Sequence, residues 1–388
     1  VGRDPRRLNE LAELFHRHPY ASLAGPHDNR EILDFFDAAP LGGEGLKIRF
    51  VRSPDFFSFV RCRSEDGRVF LGRNGAGRLG AMGTLNLRPA YVNGELATVG
   101  YLGDLRVTPD RRLARGWREF YGDLLIEARN MADLGYCRHF LTSVMASNPA
   151  ALAALVRNGR NPFSYRKVCD YQMVNVLGRL PSQRARVAGL ELSVSTAADM
   201  DALTNFLDGE NRLAALGFTR AEWPRRLSAW RGFGPESFVI ARRGGRIAGC
   251  LAPWSPSHAK RIVIERLPPL TRLGFDVLRL ARPNIPRQGG ELEVSYLTHL
   301  QITHEEPIEE RRRIFRAMLD FAIDEKLAGE ASLLSFFDDL SAPLMPASMP
   351  YLLQRSEMAL YLVTPRSGKD SADGELGRLP PGFEIALV

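Results

Sequence analysis

Apolar positions along this chain follow helical and extended periods, and the order in which the two alternate occurs twice. A helical pattern opens each pass, at Arg30–Phe36 and at Asp199–Leu207. Extended-looking runs follow, Phe59–Arg63 with a turn at Glu65-Asp66-Gly67, and Phe238–Arg242 with a turn at Gly244-Gly245. A longer strand is predicted at roughly 95–107 and matched at 291–302. After it comes an amphipathic helix of about five turns, Leu113–Leu134 in one pass and Glu309–Leu327 in the other. Ile126, Met131 and Leu134 sit at helical spacing in the first, Ile314, Met318 and Phe321 in the second. A strand (139–145; 332–337), a short helix and a final strand pair close each unit.

The repetition extends to residue strings. Phe59-Val60-Arg61-Cys62-Arg63 leads to Gly67-Arg68-Val69, as Phe238-Val239-Ile240-Ala241-Arg242 leads to Gly245-Arg246-Ile247. Gly94-Glu95-Leu96 runs to Tyr101-Leu102-Gly103-Asp104-Leu105, as Gly290-Glu291-Leu292 runs to Tyr296-Leu297-Thr298-His299-Leu300. These landmarks predict a duplicated α/β (α+β) unit, each copy a mixed sheet flanked by helices. The expected limits are a helical extension over 1–24 (helix Pro5–Phe15), domains over 25–180 and 187–364, a linker at Pro181–Val187, and a surface-draped tail over 365–388.

Composition narrows the classes. With 388 residues, 45% hydrophobic and 25% charged, the chain reads as globular rather than disordered or fibrous. No apolar run reaches the ~18–20 residues that cross a bilayer. Four scattered cysteines, Cys62, Cys137, Cys169 and Cys250, form no disulfide framework, and the polar start Val1–Arg7 is no secretory core, so the cytoplasm is the expected compartment. The net charge is +7, and only five of the 52 basic residues are lysine. Because these charges are spread rather than gathered, no nucleic-acid or membrane partner is expected. His16, His18 and His27 lack partners at metal spacing and read as surface residues; no metal site is expected.

One segment carries chemistry. Asp104-Leu105-Arg106-Val107-Thr108-Pro109-Asp110-Arg111-Arg112-Leu113-Ala114-Arg115-Gly116-Trp117 is a strand end, a basic loop and a helix start. A helix N-terminus offers free N–H groups and partial positive charge, which suit a phosphate. Arg111, Arg112, Arg115 and Arg118 add charge, and Gly116 has no side chain to hold a diphosphate away. The same run also reads as a solvated basic helix start with no ligand.

The segment resembles motif A of the GNAT acetyltransferase superfamily, Arg/Gln-x-x-Gly-x-Gly/Ala after a strand ending Val-x-Pro. Val107-Thr108-Pro109 fits the strand end and Arg111–Gly116 the loop, with Ala114 in place of the first Gly. Phe140–Met145 followed by Ser147-Asn148-Pro149 has the form of the next strand and helix; the likeness covers about residues 45–177. The resemblance implies two tandem GNAT-like domains, with acetyl-CoA in the first. Its pantetheine arm would pair with Leu105, Arg106 and Val107, and its pyrophosphate would sit on Arg112, Leu113, Ala114, Arg115, Gly116 and Trp117. Asn148 would face the arm or simply cap its helix.

The implied reaction is direct attack of a small-molecule amine on the thioester. Family members often use a tyrosine in the short helix as acid, but counting back four from Gly159 gives Leu155. Tyr165 and Tyr171 are the substitutes, and each also reads as core. Asp104, ahead of Glu95, is the candidate base, and equally a salt-bridge partner of Arg106. His299 and His304, on the matching strand of the second half, read as a base or as structural histidines. That half carries Glu305, Glu306, Glu309 and Glu310 where the first has arginines, so it is expected to keep the fold without binding CoA. A non-catalytic CoA- or metabolite-binding protein of the same fold is the alternative to the enzyme.

Overall fold

A computed structural model describes residues 10–38, 47–157, 162–281, 284–329, 331–346, 348–366, 382 and 384–388. The first half runs α1 (Glu10–Arg17), β1 (Ala21–Leu23), α2 (Asn29–Asp37), β2 (Lys47–Val51), α3 (Phe56–Arg63), β3 (Asp66–Arg73), β4 (Leu79–Val92), β5 (Glu95–Val107), α4 (Arg111–Glu127), β6 (His139–Met145), α5 (Pro149–Ala151) and β7 (Phe163–Arg179). The second runs β8 (Leu190–Val194), α6 (Met200–Arg212), α7 (Trp223–Ala229), β9 (Val239–Arg243), β10 (Arg246–Trp254), β11 (Arg261–Arg266), α8 (Pro269–Ala281), β12 (Val294–Ile302), α9 (Ile308–Asp324), β13 (Leu333–Asp339) and β14 (Tyr351–Pro365).

Among the described residues all but two strands share one 12-stranded sheet, ordered β1-β3-β4-β5-β6-β14-β7-β13-β12-β10-β9-β8. Read inward from both edges, β1 answers β8, β3 answers β9, β4 answers β10, β5 answers β12 and β6 answers β13. The duplication is thus visible in topology, with one exchange at the centre. β14, the last strand of the second half, lies between β6 and β7, and β7 lies between β14 and β13. The expected final strand pair of each unit is therefore built from one strand of each half. β2 and β11 form a second inter-half ladder, Lys47–Val51 against Arg261–Arg266.

The second string match holds in space and the first does not. Gly94–Leu105 and Gly290–Leu300 fall on β5 and β12, but Phe59–Arg63 is helix α3 whereas Val239–Arg243 is strand β9. Phe56, Phe59, Val60 and Arg63 recur at i, i+3, i+4 and i+7 and are all buried, and the Asp55 carboxylate caps the helix by accepting from Phe57 N at 2.9 Å. The cap and the helical period outweigh the β-branched look of the run.

Other limits shift as well. α4 ends at Glu127; Met131 and Leu134, expected on it, are buried in the short turns that follow. α1 packs on α4 through Leu11 and Leu14, so residues 10–24 complete the first half, and residues 1–9 of the expected extension lie outside the described residues. His18, expected at the surface, is buried against Asp123 (2.8 Å) and Tyr20 (3.1 Å). The tail expected to drape the surface begins inside β14 at Pro365, and Ala386 and Leu387 are buried in the core between the halves. Residues 181–187 join β7 to β8 and rest on α9, with Ala185 N on Asp320 at 3.0 Å.

Helices cover both faces. Gly72 and Gly83 sit beneath Trp117 of α4, and Gly67 beneath Val60 of α3; the alternation along a strand puts α3 and α4 on opposite faces. The face carrying α3, α6 and α7 holds the shared core, which joins Phe59, Leu141 and Tyr171 to Leu207, Trp230 and Trp254. Among the described residues no helix is long and apolar enough to cross a membrane.

Because β14 is bonded to strands of both halves, weakening it should weaken both. Leu362 is fully buried and pairs with Leu141 on one side and Arg166 on the other. Leu362→Ala should cost about 2–5 kcal/mol. Scanning calorimetry should show one transition moved to lower temperature; two transitions, only one of them moved, would show that the halves fold independently.

Candidate active site

In the first half β5 and β6 run parallel and pair only from Val99–His139 to Tyr101–Leu141. Beyond that they part, so from Gly103 to Val107 β5 has β4 on one side and pairs with no strand on the other, where the Leu105 carbonyl accepts from Arg106 Nη1 at 3.0 Å. Leu105 and Val107 expose more than a third of their surface there, as does Met145 of β6 across the gap. At the same place β5 bulges: the pairing steps from Met82–Arg106 to Thr84–Gly103, leaving Asp104 and Leu105 opposite one residue. Asp104 takes a left-handed backbone, φ 51°.

The Asp104 side chain is buried and fully engaged. It receives Arg63, Arg52 Nη2 at 3.2 Å and Thr84 Oγ1 at 3.2 Å. Burial alone would raise its carboxyl, but Arg63 and Arg52 overcome that and hold it well below the usual range. Three cations surround the ring of Phe59 beside it: Arg52 at 4.0 Å, Arg63 at 4.5 Å and Lys260 at 4.5 Å. Burial drives the Arg52 guanidinium down to about 9 and the Lys260 amine well below its ordinary value. Arg63 Nε donates to Leu387 O (2.9 Å) and Lys260 Nζ to Val388 O (2.7 Å), so the same cluster fastens the tail. Arg106, the salt-bridge partner considered for Asp104, lies over Phe36 at 4.7 Å.

At the apex of the cleft stands Tyr101, which the sequence reading used only as a landmark. Its phenol meets the Ser143 backbone across the gap, and burial pushes it up to about 12. The Ser143 hydroxyl bonds Tyr171, whose phenol is raised well above its ordinary value by burial and whose ring lies 4.5 Å from Phe337 of the second half. Tyr171 is fully buried; Tyr165, partly buried, lies over the core on the α4 face. Asp104, Tyr101, Ser143 and Tyr171 thus converge on one end of the cleft, and Tyr165 stands apart from them.

The other end is the start of α4. Asp110 caps it, accepting from Arg112 N at 2.9 Å and Leu113 N at 3.2 Å, so two of the six amides expected to hold a pyrophosphate already have a partner. Ala114 N bonds Asp110 O, and Arg115, Gly116 and Trp117 lie past the first turn, where amides serve the helix ladder. Gly116 also makes room within the protein: the ring of Tyr20 lies on it, 2.8 Å from where a Cβ would be, and the Tyr20 hydroxyl donates to Gly116 O. Trp117 and Leu113 are buried beneath the helix. The exposed guanidiniums of Arg111, Arg112 and Arg115 remain available to an anion at this end, Arg115 also pairing with Glu119. Asn148 caps α5, accepting from Ala151 N at 3.0 Å.

The second half repeats the bulge. His299 matches Asp104 in position and backbone, φ 50°. Its imidazole is bonded by Arg226 (3.0 Å) and Thr298 (2.9 Å), and burial with Arg226 nearby takes it down to about 3, so it stays neutral. Here the carboxylate comes from the tail: Glu384 grips Arg226 through both oxygens and accepts from His299 N. Burial opposes ionisation of Glu384, but Arg226 overrides it and holds the carboxyl far below its normal value. His304 is bonded to Glu210. Glu306 and Glu310, expected to keep a diphosphate off α9, both pair with Arg243, and Glu309 pairs with Arg312.

Compared with solved structures, the fold is that of GNAT-type acyltransferases. Saccharomyces cerevisiae N-myristoyltransferase with bound myristoyl-CoA matches 89% of this chain and 84% of its own, at TM-score 0.53 and 11% identity. A GCN5-related N-acetyltransferase from Sphaerobacter thermophilus matches over 91% and 97%, at 0.50 and 13%. The GCN5-related glucosamine N-acetyltransferase region of a fungal multi-domain GH3 β-N-acetylglucosaminidase matches over 88% and 38%, at 0.53 and 13%. No family model and no curated protein matches the sequence.

Asp104 and Glu384 give stability a pH dependence with a definite sign. A carboxylate depressed by folding stabilises the fold above its unfolded value near pH 4 and loses that contribution as pH falls toward its folded value. Urea midpoints should therefore fall steadily below about pH 4. Asp104→Asn leaves Arg52 and Arg63 without their counter-charge and should cost about 3–5 kcal/mol at neutral pH. It should also flatten the acid limb; a variant as stable as the parent at pH 7 would contradict the account.

Proposed function

We propose that the protein is an N-acyltransferase that moves an acetyl group from acetyl-CoA to the amine of a small molecule in the first-half cleft. The observation that carries this reading is the open edge of β5 from Gly103 to Val107, lying between a basic helix start and a cluster of hydroxyls. An unpaired strand edge accepts an extended amide chain as it would another strand, which is what a pantetheine arm offers. Arg111 and Arg112 stand where its phosphates would lie, with side chains rather than capped amides making the contact. The bridge from Tyr101 to Ser143 closes the apex, leaving room suited to a short acyl group.

The amine attacks the thioester carbonyl beside the bulge, a tetrahedral oxyanion forms, and the C–S bond breaks. Tyr101 then gives its proton to the departing sulfur. A phenol is protonated at neutral pH, the state a donor needs, and the tyrosinate left behind regains its proton from water after the thiol departs. Asp104, held anionic by two arginines, is a poor proton acceptor; its part is to fix the bulge that presents the carbonyl. The amine's proton leaves to water. Glu95, at the far end of β5, has no role here. Tyr171 supports Ser143, and Tyr165 stands outside the reaction. The neighbours named for myristoyl-CoA and for N-acetyl transfer support acyl transfer from CoA to an amine as the general chemistry.

Thiol release from acetyl-CoA over an amine panel tests the reading. Tyr101→Phe should lower kcat by about 10²–10⁴ with KM little changed, the size of a lost general acid. Tyr165→Phe should be near parental, and Tyr171→Phe intermediate. Arg111→Glu with Arg112→Glu should weaken CoA at least about tenfold by calorimetry. CoA binding with no release on any amine would favour the non-catalytic alternative, for which the Leu155 replacement speaks.

A further inference from the structure

We infer that the cleft of the second half is a separate small-molecule site for an apolar monocarboxylate, held by Arg311. Like β5 and β6, β12 and β13 pair only briefly, from Val294–Leu333 to Tyr296–Ser335, and then part. The opening is a cavity of about 950 Å³, mouth included, and it occupies the place in the second half where β5 and β6 part in the first. It reaches from His299 at the bulge to Arg311 in the first turn of α9, with Phe218, Leu297, Phe337 and Leu344 among its walls.

Hydrogen-bond accounting picks the ligand's charge. Each carboxylate facing the cavity is already served. Asp338 accepts from Leu344 N (2.7 Å) and Met345 N (3.1 Å), and Asp339 from Ser341 N (3.1 Å) and Oγ (2.6 Å). Glu384 holds Arg226; Glu210, which does not itself line the cavity, is bonded by the His304 backbone and ring and by Thr303. Among the described lining residues, Arg311 alone has a buried polar side-chain atom without a partner, its Nε. Glu210 attracts the Arg311 guanidinium electrostatically without bonding its Nε. A buried donor left unmade costs about 1–3 kcal/mol, and a guanidinium edge is matched in shape by a carboxylate.

Charge also decides against a phosphate. Glu305, Glu306, Glu309 and Glu310 crowd the start of α9, where two are committed to Arg243. Asp338, Asp339 and Glu384 add carboxylates in the lining itself, so a dianion or diphosphate would meet the most repulsion there and a monoanion the least for the one guanidinium of Arg311. The aromatic and aliphatic walls then fit a hydrocarbon body. This site stands independently of the acyl-transfer reading, since it uses none of the residues of the first cleft.

The test is calorimetric titration of the full chain with octanoate, with 1-octanol, octylamine and CoA as controls. Octanoate should bind at one equivalent. Arg311→Gln should weaken it at least about tenfold while 1-octanol affinity stays unchanged. Arg311→Lys should retain much of the binding, and Ala342→Trp, which fills the cavity from its loop, should abolish it with Arg311 intact. Saturating CoA should leave octanoate affinity unaltered. Equal octanoate affinity in parent and Arg311→Gln, octylamine binding as tightly as octanoate, or displacement of octanoate by CoA would each overturn the inference, whether or not the first cleft transfers acyl groups.

Discussion

The exchange of β7 and β14 is the constraint on which the rest of the molecule depends. Each half ends in a strand that its own sheet does not complete, so neither can bury its central strands alone. β14 runs antiparallel to β7 along their whole length and to β6 on its other edge. Two features of the sites follow. The clefts, one beside β6 and one beside β13, are fixed at a set distance across the centre of the sheet. The tail that follows β14 is returned to the face where both clefts open.

The tail turns that geometry into electrostatics. Both halves place an arginine from a helix against a bulged, left-handed residue on the strand that edges the cleft: Arg63 against Asp104, Arg226 against His299. In the first half the bulged residue supplies the carboxylate; in the second Glu384 supplies it from the tail. A buried guanidinium without a counter-charge is costly, so the two solutions are alternatives for one requirement. The two halves share this backbone while the chemistry around it differs. Arginines crown the helix after the first cleft, and glutamates locked to Arg243 and Arg312 crown the helix after the second.

Much of this was legible in the sequence because local signals and tertiary structure agreed. The strings around Tyr101 and Tyr296 lie on equivalent strands, and the basic run after Val107 does open a helix. Other parts were hidden for physical reasons. Phe59–Arg63 looks extended, but its cap at Asp55 and its burial period make it helical. Gly116 suggested room for a diphosphate, and only the structure brings Tyr20 from far upstream onto the same glycine. Asp104 could be seen to be near arginines, yet the decisive partners, Arg52 and Arg63, arrive through tertiary contact rather than from its own strand. Strand exchange leaves no local mark, so neither the buried tail nor the inter-half role of Glu384 could be anticipated. Tyr101 stands out in the sequence only as a repeat landmark; its place at the cleft apex depends on where β6 parts from β5.

The central claim is that one duplicated cleft holds CoA and the other does not. The most direct measurement is a crystal structure of the full chain with CoA bound at saturation. The account predicts density for one molecule, its pantetheine arm alongside β5 from Gly103 to Val107 and its phosphates against Arg111 and Arg112. Density for CoA between β12 and β13, or in both clefts, would contradict it.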